Sequence, residues 1–377
     1  MECEHVPLAA PDITEDDERA VAEVVRSGRL ALGARMTAFE RTMADEAGAR
    51  HAIAVNSGTS ALHLIIRGLD IGPGDEVITT PFSFVASTNC ILFEGATPVF
   101  VDIEPTTLCI DPEQVEAAMT PHTKAILAVD VFGHPADWKA LEAIAREHEL
   151  LLIEDSAEAL GSTLDGKSCG GFGNAGVFAF YPNKQITTGE GGMVVTDDGE
   201  LAEICRSMAN QGRDGGGWLN HVRLGYNYRM DEMSAALGLS QLQRLDELIA
   251  ARARVASWYE EALSEIEGVE TPHVKPNVGM SWFVYVIRLT DRLSRADRDG
   301  VLAELRERGI ECRDYFQPIH LQPYLQEMLG TKRGQFPITE SVSDRTIALP
   351  FFTTMSDEQV RIVGTALSEI LQRKKRH

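Results

Sequence analysis

The chain has 377 residues, 44% hydrophobic and 24% charged, with a formal net charge of −22. That length is more than one compact core usually holds, so two domains are expected, and the acidic balance argues against a nucleic-acid or anionic-membrane surface, since both need basic patches. No apolar run reaches membrane length, and the opening MECEHVPLAAPDITEDDERA is acidic where a secretory leader would be basic and then apolar, so a cytoplasmic location is expected.

In chain order, Pro11–Ser27 reads as an amphipathic helix entered through Asp12 and ended by Gly28, with a second helix over Met36–Ala47. The first helix is expected to pack on the smaller domain. From Ala52 the pattern alternates between strand and helix: Ala52–Val55, Ala61–Leu69, Glu76–Thr79, Ala86–Glu94, Pro98–Asp102, Pro112–Met119, Ala125–Val129, Trp138–His148 and Leu150–Ile153. This alternation predicts an α/β fold with a mostly parallel sheet covered by helices on both faces. Val177–Tyr181 and Met193–Thr196 read as two further buried strands.

Asn210-Gln211-Gly212-Arg213-Asp214-Gly215-Gly216-Gly217 is the longest flexible stretch, and it leads through Trp218, His221 and Arg223 into GYNYRMDE. Asp231–Ala262 then reads as one long helix. The remainder, from about Thr271, mixes strands at Trp282–Leu289 and Glu311–Tyr315 with helices at Asp297–Arg308 and Ser356–Gln372. Lys374 to His377 reads as a frayed tail. The six cysteines, Cys3, Cys90, Cys109, Cys169, Cys205 and Cys312, are scattered and imply reduced thiols, with no zinc site and no disulfide framework.

The chemistry gathers around Lys184, between the two buried strands, where Pro182-Asn183 ends one run and Thr187-Thr188-Gly189-Glu190-Gly191-Gly192 turns into the next. A lysine on an ordinary loop is exposed and inert. One held by apolar walls loses its proton and becomes an amine nucleophile toward carbonyl compounds, pyridoxal phosphate among them. Asp155 closes the apolar run Leu150–Ile153, at the strand end where ligands of open α/β sheets bind, and it equally suits a helix N-cap. As a functional group it supplies the carboxylate that a pyridine ring nitrogen needs. Asn56-Ser57-Gly58-Thr59-Ser60-Ala61 joins a strand to a helix, and such a turn offers backbone amides and hydroxyls to a phosphate or simply caps the helix.

With these residues, and with SGRLALG, GDEVITTPFSFVAS, GATPVFVDI, IEDSAEALGS, FYPNKQITTGEGGMVVTD and LGYNYRMDEMSAALGLSQL, the chain resembles the DegT/DnrJ/EryC1/StrS family of sugar aminotransferases over almost its whole length. The resemblance implies a pyridoxal-phosphate-dependent transferase of fold type I, with a large cofactor-binding domain over residues 1–250 and a small C-terminal α+β domain over 251–377. It implies that Lys184 holds the cofactor and moves protons and that Asp155 meets its ring nitrogen. Phe84 is then expected to stack on the ring, and Gly58, Thr59 and Ser60 to hold the phosphate. Asn227 is expected to reach that phosphate from the partner of a homodimer, across which the glycine-rich segment with His221 also passes. Arg313 and His320 match a segment that borders the substrate.

Three positions depart from the pattern. Ala179 stands where many relatives have a serine, Glu158 where many have glutamine or histidine, and Met280 where a histidine is common. The carboxylate at Glu158 is similar to the GDP-perosamine synthases of the family and implies a GDP-linked 4-keto-6-deoxy sugar, with L-glutamate as the amino donor. UDP- or dTDP-linked sugars and a cyclitol ketone stay open. Two substrates sharing one site in turn imply ping-pong kinetics. Lys184 argues against the family's dehydratase branch, which carries histidine there. Lys184, Asp155 and Glu190 together argue against a non-catalytic protein that binds the cofactor as a sensor.

Overall fold

The computed structural model describes residues 5–216 and 219–374. Its core is a seven-stranded sheet of His51–Val55 (β1), Glu76–Thr79 (β2), Thr97–Phe100 (β3), Thr123–Val129 (β4), Leu151–Asp155 (β5), Ala175–Ala179 (β6) and Gly192–Thr196 (β7), in the order β1-β7-β6-β5-β4-β2-β3. β7 runs antiparallel to both its neighbours, and the other pairings are parallel. Parallel strands covered on both faces need apolar residues at successive positions. Ile126, Leu127, Ile153 and Val177 meet that need and are 0% exposed.

A smaller antiparallel sheet of Val269–Glu270, Tyr285–Leu289 and Thr346–Leu349 makes the C-terminal α+β region, packed with the helices Arg295–Glu307 and Asp357–Lys374. The helix Leu245–Leu263 touches both parts: Leu245 and Leu248 join a cluster on the central sheet, whereas Val255, Tyr259 and Leu263 join the core of the small sheet. Five cysteines, Cys90, Cys109, Cys169, Cys205 and Cys312, are free and buried, and burial pushes the Cys109 thiol up to about 12. Among the described residues no helix is long and apolar enough to cross a membrane. Cys3, Gly217, Trp218 and the tail residues Lys375, Arg376 and His377 lie outside the described residues.

Several elements differ from the sequence expectation for identifiable reasons. The first helix, Glu15–Ser27, packs on the helix Glu232–Leu242 rather than on the small domain. Gln241 Nε2 donates to the Asp12 carbonyl at 2.7 Å and to the Asp17 carboxylate at 2.8 Å, so the polar ends of the two helices are fastened together. The segment before this helix reaches the small part, through the bridge of Val6 with Ile310 and the Leu8 amide on Glu311.

The single long helix expected over Asp231–Ala262 is two helices, Glu232–Leu242 and Leu245–Leu263. At the join, Arg244 N bonds Gln241 O at 3.0 Å, a tighter i→i−3 turn, and the Arg244 guanidinium reaches Asp12 and Asp17 at 3.4 and 3.5 Å. Neither glycine nor proline marks this break. The strand expected from Trp282 starts at Tyr285, because Trp282 takes a left-handed φ of 57°. The run Glu311–Tyr315 contributes only an isolated bridge of Arg313 with Ala348.

Asp102, just past β3 and 3% exposed, crosses to the other end of the chain. Its carboxylate accepts from Ile338 N and Thr339 N, both at 2.8 Å, and from Thr339 Oγ1 at 2.7 Å, so it caps the helix Pro337–Ser343. Asp102→Ala leaves those donors buried without a partner and is expected to lower unfolding stability by about 2–3 kcal/mol. Urea denaturation at constant slope measures it, and an unchanged midpoint would show that the cap contributes nothing.

Candidate active site

The carboxyl ends of β5 and β6 and the turn that follows β1 converge on one region. β5 ends in Asp155, 4% exposed, whose carboxylate accepts from Ser87 Oγ at 3.0 Å and from Ala157 N at 3.2 Å. Ser87 belongs to the helix Ala86–Phe93, and its hydroxyl is 3.0 Å from that of Ser83. Burial pushes the Asp155 carboxyl up, against the lowering effect of the Ala157 amide, Ser87 and the nearby Lys184.

β6 ends at Ala179, and the chain then turns through Tyr181 to Lys184, whose amide bonds the Tyr181 carbonyl at 2.9 Å. The Lys184 side chain is 13% exposed, with Nζ 3.7 Å from Glu158 Oε1 and 3.8 Å from the centre of the Phe283 ring. Burial pushes its ammonium down, while the Glu158 and Asp155 carboxylates oppose that and the Arg252 guanidinium adds to it. Glu158 is itself buried and accepts from Phe132 N at 2.9 Å, and burial pushes its carboxyl up. Neither partner of the 3.7 Å pair is well solvated, so burial works against the charged form of both.

The turn after β1 opens the helix Gly58–Gly68, where Ser57 Oγ caps Ser60 N at 3.1 Å. The first amides of a helix have no intrahelical partner, so Gly58 N and Thr59 N face outward as donors. This turn is pressed against the sheet. A Cβ on Gly58 would lie 2.8 Å from Ala179 Cβ, and one on Gly192 would lie 2.4 Å from Ser57 O, so only glycine allows the approach. The departure at Ala179 therefore borders the turn directly, and a hydroxyl there would stand beside it.

Phe84 is 62% exposed and sits one turn before Ser87, whose amide bonds its carbonyl. Asn227 is exposed, and its carbonyl lies 3.5 Å from Asn56 Nδ2 at the start of the same turn. Glu190 is exposed on the turn after Lys184. His221 is exposed and its Nδ1 lies 2.8 Å from the Gln211 carbonyl. Arg313 is exposed and acts electrostatically on Tyr315, which also feels Glu158 and meets Asn183.

His320 takes no place facing this region. It is 0% exposed, with Nε2 3.0 Å from Glu340 and its ring edge-on to Phe336, so it belongs to the packing of the 320–340 segment. Met280 packs against the small core. Ser87, Phe283, Tyr315 and Arg252 are site neighbours that sequence reasoning missed. Only Ser87 left a signal, its spacing of four from Ser83 across one helical turn.

The donor set fits pyridoxal phosphate. A buried amine next to an aromatic ring, a buried carboxylate at a strand end and a helix N-terminus with free amides are the three things it needs.

Comparison with known proteins agrees with this geometry. Residues 11–368 match the model of the DegT/DnrJ/EryC1/StrS aminotransferase family. The chain is 38% identical to the spore coat polysaccharide biosynthesis protein SpsC of Bacillus subtilis, over 97% of each chain. It is 39% identical to the GDP-perosamine synthase of Caulobacter vibrioides, over 97% of this chain and 98% of that one. The solved structure of Helicobacter pylori PseC, an aminotransferase involved in the biosynthesis of pseudoaminic acid, is similar with a TM-score of 0.94 at 31% identity, covering 98% of this chain and 100% of that chain. The chain belongs to the DegT/DnrJ/EryC1/StrS aminotransferase family and is an enzyme of this pyridoxal-phosphate-dependent sugar aminotransferase class.

Proposed function

We propose that this enzyme moves an amino group from L-glutamate to the C4 keto carbon of a nucleotide-linked 6-deoxy sugar, GDP-linked in the first instance, using pyridoxal 5′-phosphate. The observation that carries the reading is the Lys184 amine, desolvated against Phe283 and balanced by Asp155 at the end of β5 and Glu158 just past it. The 39% identity with a GDP-perosamine synthase and the carboxylate of Glu158 support the nucleotide.

Lys184 would hold the cofactor, Asp155 its ring nitrogen, Phe84 its ring face, and Gly58, Thr59 and Ser60 its phosphate. When bound, pyridoxal phosphate supplies an electron sink that acidifies the carbon bearing the amine. The chain's own part is to place and move protons. Asp155 is held in orientation by Ser87 and Ala157, and those donors favour its charged form against burial. Lys184 Nζ, once free, would take the proton from the donor's α-carbon and deliver it across the nitrogen to the cofactor's aldehyde-derived carbon, which requires an amine that is neutral when it accepts the proton. Glu158 sits where it holds a proton on Nζ between those transfers.

A homodimer with shared sites and a cytoplasmic location belong to the same proposal. Asn227 and His221 lie on a segment that exposes Leu219 at 71%, Val222 at 47% and Leu224 at 67%, which suits a surface covered by a second copy.

The test is an absorbance spectrum of the purified enzyme with pyridoxal phosphate, taken after L-glutamate and again after GDP-4-keto-6-deoxymannose. The bound-cofactor band is expected to shift with glutamate and return with the sugar. A band that shifts but returns only with a UDP- or dTDP-linked sugar moves the assignment to that nucleotide, and a band that never shifts with any amino donor refutes the aminotransferase reading.

Asp155→Ala is expected to lower kcat/KM by about 10²–10⁴-fold, the usual range for losing a group that acts on proton transfer. Steady-state rates on folded variant decide this, and a loss of only a few-fold would remove Asp155 from the chemistry.

Glu158→Gln removes the carboxylate that most favours the Lys184 ammonium, so the amine should lose its proton at lower pH. Trace acetylation of the cofactor-free enzyme, read at Lys184 by peptide mass spectrometry across pH, is expected to show a lower midpoint. A midpoint that rises or stays in place contradicts the pairing.

A further inference from the structure

Arg252 lies on the helix Leu245–Leu263 and is 3% exposed. Its guanidinium donates to three main-chain carbonyls. Nη2 bonds Lys184 O at 2.8 Å, and Nη1 bonds Trp282 O at 3.1 Å and Phe283 O at 3.2 Å. These carbonyls belong to two segments far apart in sequence. One carries the Lys184 amine and the other carries the Phe283 ring, and the two meet where Nζ lies 3.8 Å from that ring. Arg252 therefore joins behind the amine the same two segments that touch at the amine.

A planar fork with several donors can span two chains in this way, and the point charge of a lysine cannot. Burial pushes the Arg252 guanidinium down to about 10, so it still carries its charge at neutral pH. A buried cation is a costly way to fasten two loops when neutral donors would serve, so the charge itself calls for an explanation. Next to a lysine that must lose a proton, a fixed positive charge has one: it disfavours the ammonium.

We propose that Arg252 is the positioning residue of Lys184, fixing the lysine's main chain to the Phe283 segment and keeping a positive charge behind the amine so that it is held in place and neutral. This rests on the reading of Lys184 as the reacting amine. The groups that face Nζ are the carboxylates of Glu158 and Asp155, which favour its charged form, and Arg252, which opposes it; Tyr315 lies near Glu158, and Asp12 acts on Arg252. Removing the guanidinium charge leaves both carboxylates acting alone.

The experiment is trace acetylation with acetic anhydride across pH on the cofactor-free enzyme, with modification at Lys184 quantified by peptide mass spectrometry. It compares wild type with Arg252→Met, Arg252→Gln and Arg252→Lys, after circular dichroism confirms folding. The neutral variants should move the Lys184 midpoint to higher pH. Arg252→Lys should keep the midpoint near wild type and still change the rate of labelling above it, because the charge remains and the fork is lost. If both neutral variants fail to fold, Arg252→Lys alone decides: a labelling rate and midpoint equal to wild type would overturn the proposal. It is equally overturned if a folded neutral variant titrates as wild type does, since a purely structural arginine would lower stability and leave the midpoint alone. The underlying reading is checked separately by adding pyridoxal phosphate to wild type and reducing with borohydride. Absence of a reduced adduct on Lys184 defeats that reading whatever Arg252 does.

Discussion

Taking the Lys184 ammonium out of water is the constraint on which the rest of the site turns. A lysine head group in water is strongly hydrated, and burial with no compensation would cost far more than a loop could supply. Here compensation is partial by construction. Glu158 Oε1 at 3.7 Å is beyond an ordinary hydrogen bond, and the ring of Phe283 on another side offers only its π face. A tighter pair would have locked the proton on the amine, and no pair at all would have made the charged form prohibitive. The intermediate spacing sets burial, which disfavours the charged form, against the carboxylates, which favour it, at a group proposed to take and give protons.

The sheet makes that spacing possible. Parallel strands bring carboxylates from separate parts of the chain to one edge, and residues adjacent in β5 point to opposite faces. Asp155 faces the amine, and Glu154 faces the helical layer behind. There Glu154 accepts from Gly170 N at 2.6 Å and Phe172 N at 2.7 Å, while Ser156 Oγ lies 2.7 Å from both Glu154 and Asp130. A hydroxyl has one proton to give, so it cannot donate to two carboxylates at once. One of the two acids must keep a proton, and burial raises both in that direction. Burial raises the Asp155 carboxyl as well, but there the Ala157 amide, the Ser87 hydroxyl and Lys184 all favour the charged form.

Much of this was legible in the sequence because it is local. Strand ends, the turn after β1 and the Pro182-Asn183 break are decided by residues within a few positions of one another, so Asp155, Lys184 and the Gly58 turn could be named from pattern. Arg252 could not, because nothing near it in the chain marks an inward-facing arginine on an otherwise amphipathic helix. Its partners, Lys184 and Phe283, are 68 and 31 positions away. The same holds for the break at Arg244, which is imposed by Asp12 and Asp17 from the other end of the chain. His320 failed in the opposite sense: its neighbours in sequence suggested a loop at the substrate, yet Glu340 and Phe336 enclose it.

The position three residues after Asp155 carries the last step. The family resemblance implies an amide or an imidazole there; this chain has Glu158, and the lysine amine lies 3.7 Å from its carboxylate. An amide there can orient the amine but adds no charge, whereas a carboxylate shifts its proton affinity upward. Such a change must be offset if the amine is to remain neutral at working pH. Burial supplies part of that offset, and the cation fixed behind Lys184 supplies another part in the same direction. Glu158 and Arg252 therefore form two sides of one electrostatic balance with Lys184 between them. A chain that exchanged either for a neutral residue would have to change the other to keep the same amine.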